Sequence, residues 1–208
     1  MAEPRQIRLI MELRAEGVKD PDVLGAIERV AREKFVPDQF ADRAYENTAL
    51  PIGEGQTISQ PLIVGLMTQA LEVGKRMKVL EIGTGCGYQA AVLAQMVDQV
   101  YSVERILPLQ KKASKLLMDL SIRNIKYLHS DGGWGWPDFA PYEGILVAAA
   151  PTEIPKGLLQ QMKEGGVMII PVGPQGDQAL QKVVKTATGF DIENIEAVSF
   201  VPFVQGRR

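Results

Sequence analysis

Met77-Lys78-Val79-Leu80-Glu81-Ile82-Gly83-Thr84-Gly85-Cys86-Gly87-Tyr88 is the stretch that decides the fold. The apolar run 77–82 reads as a buried strand, and glycines at alternate positions then break it. Glycine lets the backbone turn sharply and lets a ligand approach where a Cβ would clash. A helix over 88–95 follows. Strand, glycine turn and helix, in that order, put the turn at the carboxyl end of a strand, where ligands bind in open α/β sheets.

Downstream the pattern keeps alternating. Strands are expected at 99–103, 125–128, 144–149 and 167–171, with helices at 109–120 and 155–162. Leu109, Ala113, Leu116, Leu117 and Leu120 fall in helical register. Strands alternating with helices predict a doubly wound, mostly parallel sheet covered on both faces. Two further strands, 180–186 and 195–203, flank a turn at 188–191 and predict an antiparallel edge.

Upstream lies a helical stretch. Ile7, Ile10 and Leu13 recur at helical spacing, and Gly17 is placed to stop that helix. Asp20 reads as the N-cap of a second helix with Pro21 at its first position. Val23, Ile27 and Val30 form its stripe, and Phe35-Val36-Pro37 ends it. Residues 46–61, rich in Pro and Gly, read as a loop, followed by a helix showing Ile63, Leu66, Met67 and Ala70 on one face. The expected organisation is a single domain, 1–208. Residues 1–72 form a helical extension carrying the loop 51–61, and 73–208 form the α/β core and terminal strands.

Which ligand the glycine turn suits depends on spacing. A dinucleotide loop wants its third glycine three residues after the second; Tyr88 stands there instead, with glycines at 83, 85 and 87. No Tyr-x-x-x-Lys pair supports a short-chain dehydrogenase. Glu81, two residues before Gly83, completes a Glu-x-Gly-x-Gly-x-Gly pattern that resembles the first motif of the class I methyltransferases. Taken alone, the glycines also fit a turn without a ligand. Glu104, at the end of the next expected strand, can accept both hydroxyls of a ribose. Asp131-Gly132 follows the third strand, where class I methyltransferases commonly hold the adenine amino group. An Asp-Gly turn is the plainer reading of that pair. Three acids at three successive strand ends converge on one crevice, which points to S-adenosylmethionine, with S-adenosylhomocysteine as product.

Several classes are disfavoured. The chain has 208 residues, 46% hydrophobic and 23% charged, with a net charge of −2, so it carries no electrostatic footprint for nucleic acid or anionic membrane. Ala148-Ala149-Ala150-Pro151 stands where methyltransferases of base amino groups carry Asn/Asp-Pro-Pro-Tyr/Phe. One cysteine, Cys86, excludes an internal disulfide and a cysteine-built metal site, and fits a reducing compartment. No apolar run approaches the ~18 residues of a membrane span, and nothing reads as a signal peptide. The expected location is cytoplasmic, with no metal and no obligate protein partner. His129, the only histidine, reads as structural, and Cys86 as a small residue that fits. An acceptor needing no strong base is therefore indicated. A carboxylate, ionised at pH 7, meets that requirement.

Pro51-Ile52-Gly53-Glu54-Gly55-Gln56-Thr57-Ile58-Ser59-Gln60-Pro61 supplies hydroxyls to hold such an acceptor. Thr57 and Ser59 are two apart and face the same way in an extended segment; Ser59 also suits the N-cap of the next helix. This stretch resembles the protein-L-isoaspartate O-methyltransferases. So do Phe35-Val36-Pro37, Val79-Leu80-Glu81-Ile82-Gly83-Thr84-Gly85, Val103-Glu104-Arg105, Asp131-Gly132, Gly166, Pro171-Val172-Gly173 and Phe200-Val201-Pro202, across nearly the whole length.

The resemblance implies methyl transfer from S-adenosylmethionine to the free α-carboxylate of L-isoaspartyl residues in damaged proteins and peptides. The ester then cyclises to a succinimide, which repairs the chain. It further implies Ser59 as the active-site residue with Thr57 beside it. Glu81, Gly83, Thr84, Gly85, Gly87, Tyr88, Glu104, Arg105, Asp131 and Gly132 would bind the cofactor. Gln56, Ile58, Val201 and Pro202 would contact the substrate. Cys86 replaces a customary serine, and Leu62 and Ala148 stand where tyrosine or histidine, and threonine, are common. Trp134 and Trp136 suit either a cap on the site or packing of the loop 132–141, with packing favoured. Two readings compete: another carboxylate or small-molecule acceptor on the same fold, and a non-catalytic cofactor-sensing module.

Overall fold

The computed structural model describes residues 4–208; Met1, Ala2 and Glu3, included above in the helical extension, lie outside the described residues. α1 (Pro4–Ala15) ends before Gly17, whose φ of +114° suits only glycine. α1 buries Gln6, Leu9 and the expected Leu13, and packs Ile10 half-buried on the same core, whereas Ile7 is 48% exposed and lies off the inner stripe. Asp20 caps α2 (Pro21–Arg29), its carboxylate accepting from Asp22 N at 2.8 Å and Val23 N at 3.4 Å. α2 stops at Arg29, short of Phe35-Val36-Pro37, and short 3-10 turns Arg32–Phe35 and Asp38–Arg43 follow.

The segment expected to be an irregular loop is a β-hairpin. β1 (Leu50–Gly53) pairs antiparallel with β2 (Gln56–Ile58) through a turn with Glu54 at φ +54° and Gly55 at φ +72°. Pro51 and the glycines, which argued against a strand, sit in a short strand and at its turn, where they cost little. α3 (Pro61–Ala70) then buries Val64, Gly65, Met67 and Thr68 most deeply. Its N-terminal Leu62 N–H is met by Asn47 Oδ1 at 3.0 Å.

The main sheet comprises β3 (Lys78–Ile82), β4 (Gln99–Glu104), β5 (Ile125–His129), β6 (Tyr142–Val147), β7 (Met162–Val172), β8 (Gln178–Lys185) and β9 (Phe190–Val198). Their order is β5-β4-β3-β6-β7-β8-β9; β3 to β7 are parallel, while β8 and β9 form an antiparallel edge. α4 (Tyr88–Ala94), α5 (Leu107–Asp119) and α6 (Lys156–Gln160) join them. β7 is longer than expected. β9 ends at Val198, so residues 199–208 are not strand but cross the end of the sheet. On α5, Leu120 lies past the last turn and is exposed.

Strand alternation divides the core. Val79, Val100 and Leu146 face one side with α1–α5, and Leu80, Tyr101, Val103 and Ile145 face the other. That second face has thin helical cover, α6 alone, and is completed by Trp136 and Phe139 packed on Tyr101 at centroid distances of 5.7 and 4.5 Å. Register decides where the site falls. Ile82 pairs with Val103 and Val147, and Glu104 with His129, so the carboxyl ends of β3 to β6 finish level. The chain leaves β3 towards β4 and β5, then returns to β6 on its other side, which opens a crevice beside β3.

Candidate active site

The glycine turn closes β3 at that crevice. Gly83 N–H donates to Val103 O at 2.8 Å, and Ala148 N–H to Ile82 O at 2.8 Å, so both neighbouring strands brace it. Gly83, Gly85 and Gly87 all have left-handed φ, +95°, +54° and +91°. At Gly87 the constraint is double, because a Cβ would fall 2.8 Å from Leu117 Cδ1 on α5. The resulting cleft holds about 910 Å³, its open mouth included, within the usual range for a small-molecule site.

Glu104 lines this cleft and is nearly buried. Its Oε2 accepts from Gly85 N at 2.8 Å and its Oε1 from Ile106 N at 2.9 Å. The carboxylate thus ties the glycine turn to the start of α5 and keeps a lone pair on each oxygen for ribose hydroxyls. Gly83, Thr84, Gly85, Tyr88, Arg105 and Gly132 share the lining. An adenosyl group fits this lining: glycines with left-handed φ at the turn, a carboxylate at a strand end, and the apolar Ile82, Val103 and Ile106 beside them.

Glu81, Gly87 and Asp131 do not line the cleft. Glu81 is fully buried behind it, where Ser102 Oγ donates to its Oε2 and shares a 2.6 Å hydrogen bond with Thr84 Oγ1. Burial pushes its carboxyl up to about 8, and its Oε1 has no partner. It braces the turn from within rather than touching the cleft. Asp131, nearly buried, acts as a cap: its Oδ1 accepts from Gly133 N at 2.8 Å and its Oδ2 from Gly206 N, which leaves each oxygen a further lone pair, as at Glu104.

The acceptor side comes from far along the chain. Gln56, Thr57, Ile58 and Ser59 line the same cleft. Ile58 is buried, while Thr57 within β2 and Ser59 just past its end flank it in sequence and are less buried. Ser59 does not cap α3, whose N-cap residue is Gln60 with no side-chain cap bond. Residues 201–204 cover the cleft: Ala150 N–H donates to Val201 O, and Phe203 N–H to Ala150 O, both at 2.9 Å. The strap runs on to Arg208, whose N–H donates to Arg105 O at 2.7 Å and whose guanidinium pairs with Glu54 in the hairpin turn. A second groove, lined by Thr57, Ser59, Leu62, Ala148 and residues 196–201, opens beside the cleft.

Trp136 packs in the core and Trp134 is 66% exposed beside an outer groove, so neither covers the cleft. His129 Nε2 lies 3.0 Å from Arg105 O at a strand end, a structural position. Cys86 lines the cleft, where burial pushes its thiol up to about 11, so it is no nucleophile at neutral pH. Arg32 escaped the sequence reading. It lies in Arg32-Glu33-Lys34, which looks like a solvated helix end, yet it is wholly buried and donates to Ser59 O at 2.8 Å. No local pattern marks it.

A parallel sheet with this switch point, glycine turn and strand-end carboxylate defines a class I, S-adenosylmethionine-dependent methyltransferase. Residues 4–208 match the family described as protein-L-isoaspartate(D-aspartate) O-methyltransferase (PCMT), and the chain belongs to that family. It is 56% identical over 207 residues to the protein-L-isoaspartate O-methyltransferase of Paramagnetospirillum magneticum, covering 99% of this chain and 97% of that one. The Parvibaculum lavamentivorans protein of the same name is 51% identical, covering 98% and 93%. Among solved structures, a protein-L-isoaspartate O-methyltransferase superposes with a TM-score of 0.86 at 29% identity; the match spans 95% of this chain and 65% of that one. A putative Plasmodium falciparum member, solved with S-adenosyl-L-homocysteine, shares the fold at a TM-score of 0.85 and 24% identity, covering 97% and 99%.

Proposed function

We propose that this enzyme transfers the methyl group of S-adenosylmethionine to the free α-carboxylate of L-isoaspartyl residues in damaged proteins and peptides, as a repair step. The observation that carries the reading is the meeting, in one cleft, of the glycine turn and Glu104 with the Thr57 and Ser59 edge of the hairpin. When bound, the cofactor supplies a sulfonium methyl, whose C–S bond breaks as a carboxylate oxygen bonds to its carbon.

This chain's residues then have a modest task. The acceptor is already an anion at neutral pH, so no general base is required. The nearby acid-base groups agree with that: Glu81 is buried and protonated at neutral pH, and Cys86 stays a thiol. Ser59 donates its hydroxyl to one carboxylate oxygen and leaves the other to attack, with Thr57 beside it. Gln56, Ile58, Val201 and Pro202 hold the substrate backbone. Residues 201–204 keep water from the reacting atoms, and alignment supplies most of the rate. The second groove, running from Ser59 along residues 196–201, gives a polypeptide room beside the acceptor and favours protein substrates over a small molecule.

We also take the chain to act as one unit, because α1–α3 share a core cluster with α4 and α5. Among the described residues no helix is long and apolar enough to cross a membrane; the single cysteine supports a cytoplasmic setting. The test is transfer of labelled methyl to an isoaspartyl peptide and to its aspartyl twin. Labelling of the isoaspartyl peptide alone is expected, and equal labelling of both sinks the reading.

A further inference from the structure

Arg32 is the largest of the fully buried side chains, and it is a cation. Its Nη2 donates to Ser59 O at 2.8 Å and reaches Thr48 O at 3.4 Å. Nε and Nη1 have no hydrogen-bond partner, and no ion pair forms at Arg32 among the described residues. One face lies over the Tyr88 ring, 4.7 Å from its centroid. Phe35 closes the other edge of that ring at 5.4 Å. A guanidinium cannot shed its proton in a protein, and buried charges are ordinarily paired. Here the partner is missing.

We propose that Arg32 is a positioning residue for the acceptor, and that its missing counter-charge is the carboxylate of the bound substrate. The proposal rests on the isoaspartyl reading above. Ser59 and Tyr88, the two residues Arg32 touches most closely, both line the cleft, so its charge lies one residue behind the acceptor's place. Its bond to the Ser59 carbonyl holds the 59–60 peptide in place behind the cleft. A purely mechanical tie between the backbones at 48 and 59 needs only a neutral amide. The idle donors and the buried charge go beyond that need. With the site filled, the carboxylate and the guanidinium face each other across a region that the strap shields from water, where their attraction is weakly screened.

The test uses enzyme loaded with S-adenosylhomocysteine and two peptides: the isoaspartyl peptide, and the same peptide with a carboxamide in place of the α-carboxylate. Calorimetry gives the acid-over-amide affinity ratio. Arg32→Gln keeps a donor for the Ser59 carbonyl but drops the charge, and should cut that ratio on the order of tenfold. Arg32→Lys keeps the charge and should hold the ratio within about twofold of wild type. S-adenosylhomocysteine affinity should not move in either. An unchanged ratio in Arg32→Gln overturns the proposal. So does an equal loss of affinity for both peptides, the mark of a merely structural role. Should Arg32→Gln fail to fold, Arg32→Met, an apolar side chain of similar length, gives the same ratio. Equal labelling of aspartyl and isoaspartyl peptides by the wild type breaks the functional reading, while the acid-over-amide ratio still decides the role of Arg32.

Discussion

The two walls of the cleft are built differently. The donor wall is made of strand ends in a seven-stranded sheet, finishing level by register and tied by backbone bonds to Glu104. The acceptor wall is a hairpin of four- and three-residue strands with a strap from the far end of the chain. A two-stranded hairpin is marginal alone, so its place depends on Leu50, Ile52 and Ile58, buried in the main core, and on ties: Arg32 to Ser59, Asn47 to α3, Arg208 to Glu54. The cofactor grip is therefore set by the sheet's own strand ends, and the substrate grip by a short hairpin packed on the same core. Damage to the first should appear in cofactor affinity and stability; damage to the second should appear in turnover.

The largest expected effect tests the acceptor wall. Ser59→Ala should lower kcat on an isoaspartyl peptide by about 10²-fold, the order of loss expected when the group that aligns the acceptor carboxylate for in-line attack is removed. Affinity for S-adenosylhomocysteine should stay within about twofold. Steady-state kinetics beside calorimetry separates the two, and a matching loss of cofactor affinity would erase the division between the walls. Next comes the donor wall. Glu104→Ala removes a nearly buried acceptor from two backbone N–H groups and should weaken cofactor binding by about 1.5–3 kcal/mol. Saturating cofactor should recover most of kcat; a folded variant with unchanged affinity would remove Glu104 from the ribose site.

Legibility followed the same division. Gly83, Gly85 and Glu104 could be read because each lies within a residue or two of a periodic strand, and parallel-sheet topology carries strand ends to one crevice. Asp131 and Glu81 could be read as acids at strand ends, but not their bond partners. Gly206 and Ser102, distant in sequence, decide that one caps and the other braces. The hairpin was hidden because Pro51, Gly53 and Gly55 argue against strands, and only pairing across a tight turn makes short strands of them. Arg32 was hidden more deeply: burial of a charge is settled by Tyr88 and Ser59, which no window around residue 32 contains. The tail 199–203 is expected to continue the last strand, yet it pairs with Ala150 at a single isolated bridge and serves as a roof.

A subtler effect sharpens what Glu81 does for the donor wall. Its carboxyl, raised by burial to about 8, holds its proton in the folded enzyme, whereas the unfolded chain ionises near the ordinary 4.5. Between those values the unfolded state binds fewer protons, so stability is fully present below about 4.5, falls as pH rises, and levels off above about 8. Glu81→Gln cannot ionise and should remove up to about 1.4 kcal/mol of that decline per pH unit. Urea unfolding of both forms from pH 5 to 8 checks it. Parallel pH curves for the two would show that Glu81 ionises freely in the fold.

The smallest effect lies where the strap meets the hairpin. Arg208 and Glu54 are both partly exposed, with side-chain exposures of 54% and 38%, and such surface pairs contribute about 0–1 kcal/mol. Arg208→Ala should therefore leave the unfolding midpoint nearly unchanged. The Arg208 backbone stays tied to Arg105 and Leu107 whatever its side chain, so the cofactor should still be covered. Only the hairpin turn is released, and the expected change is a rise of about two- to threefold in KM for peptide, weakened further by salt in the wild type but not in the variant. Equal salt dependence in both would show that the ion pair contributes nothing to holding the acceptor wall, leaving that task to Arg32 beneath Ser59.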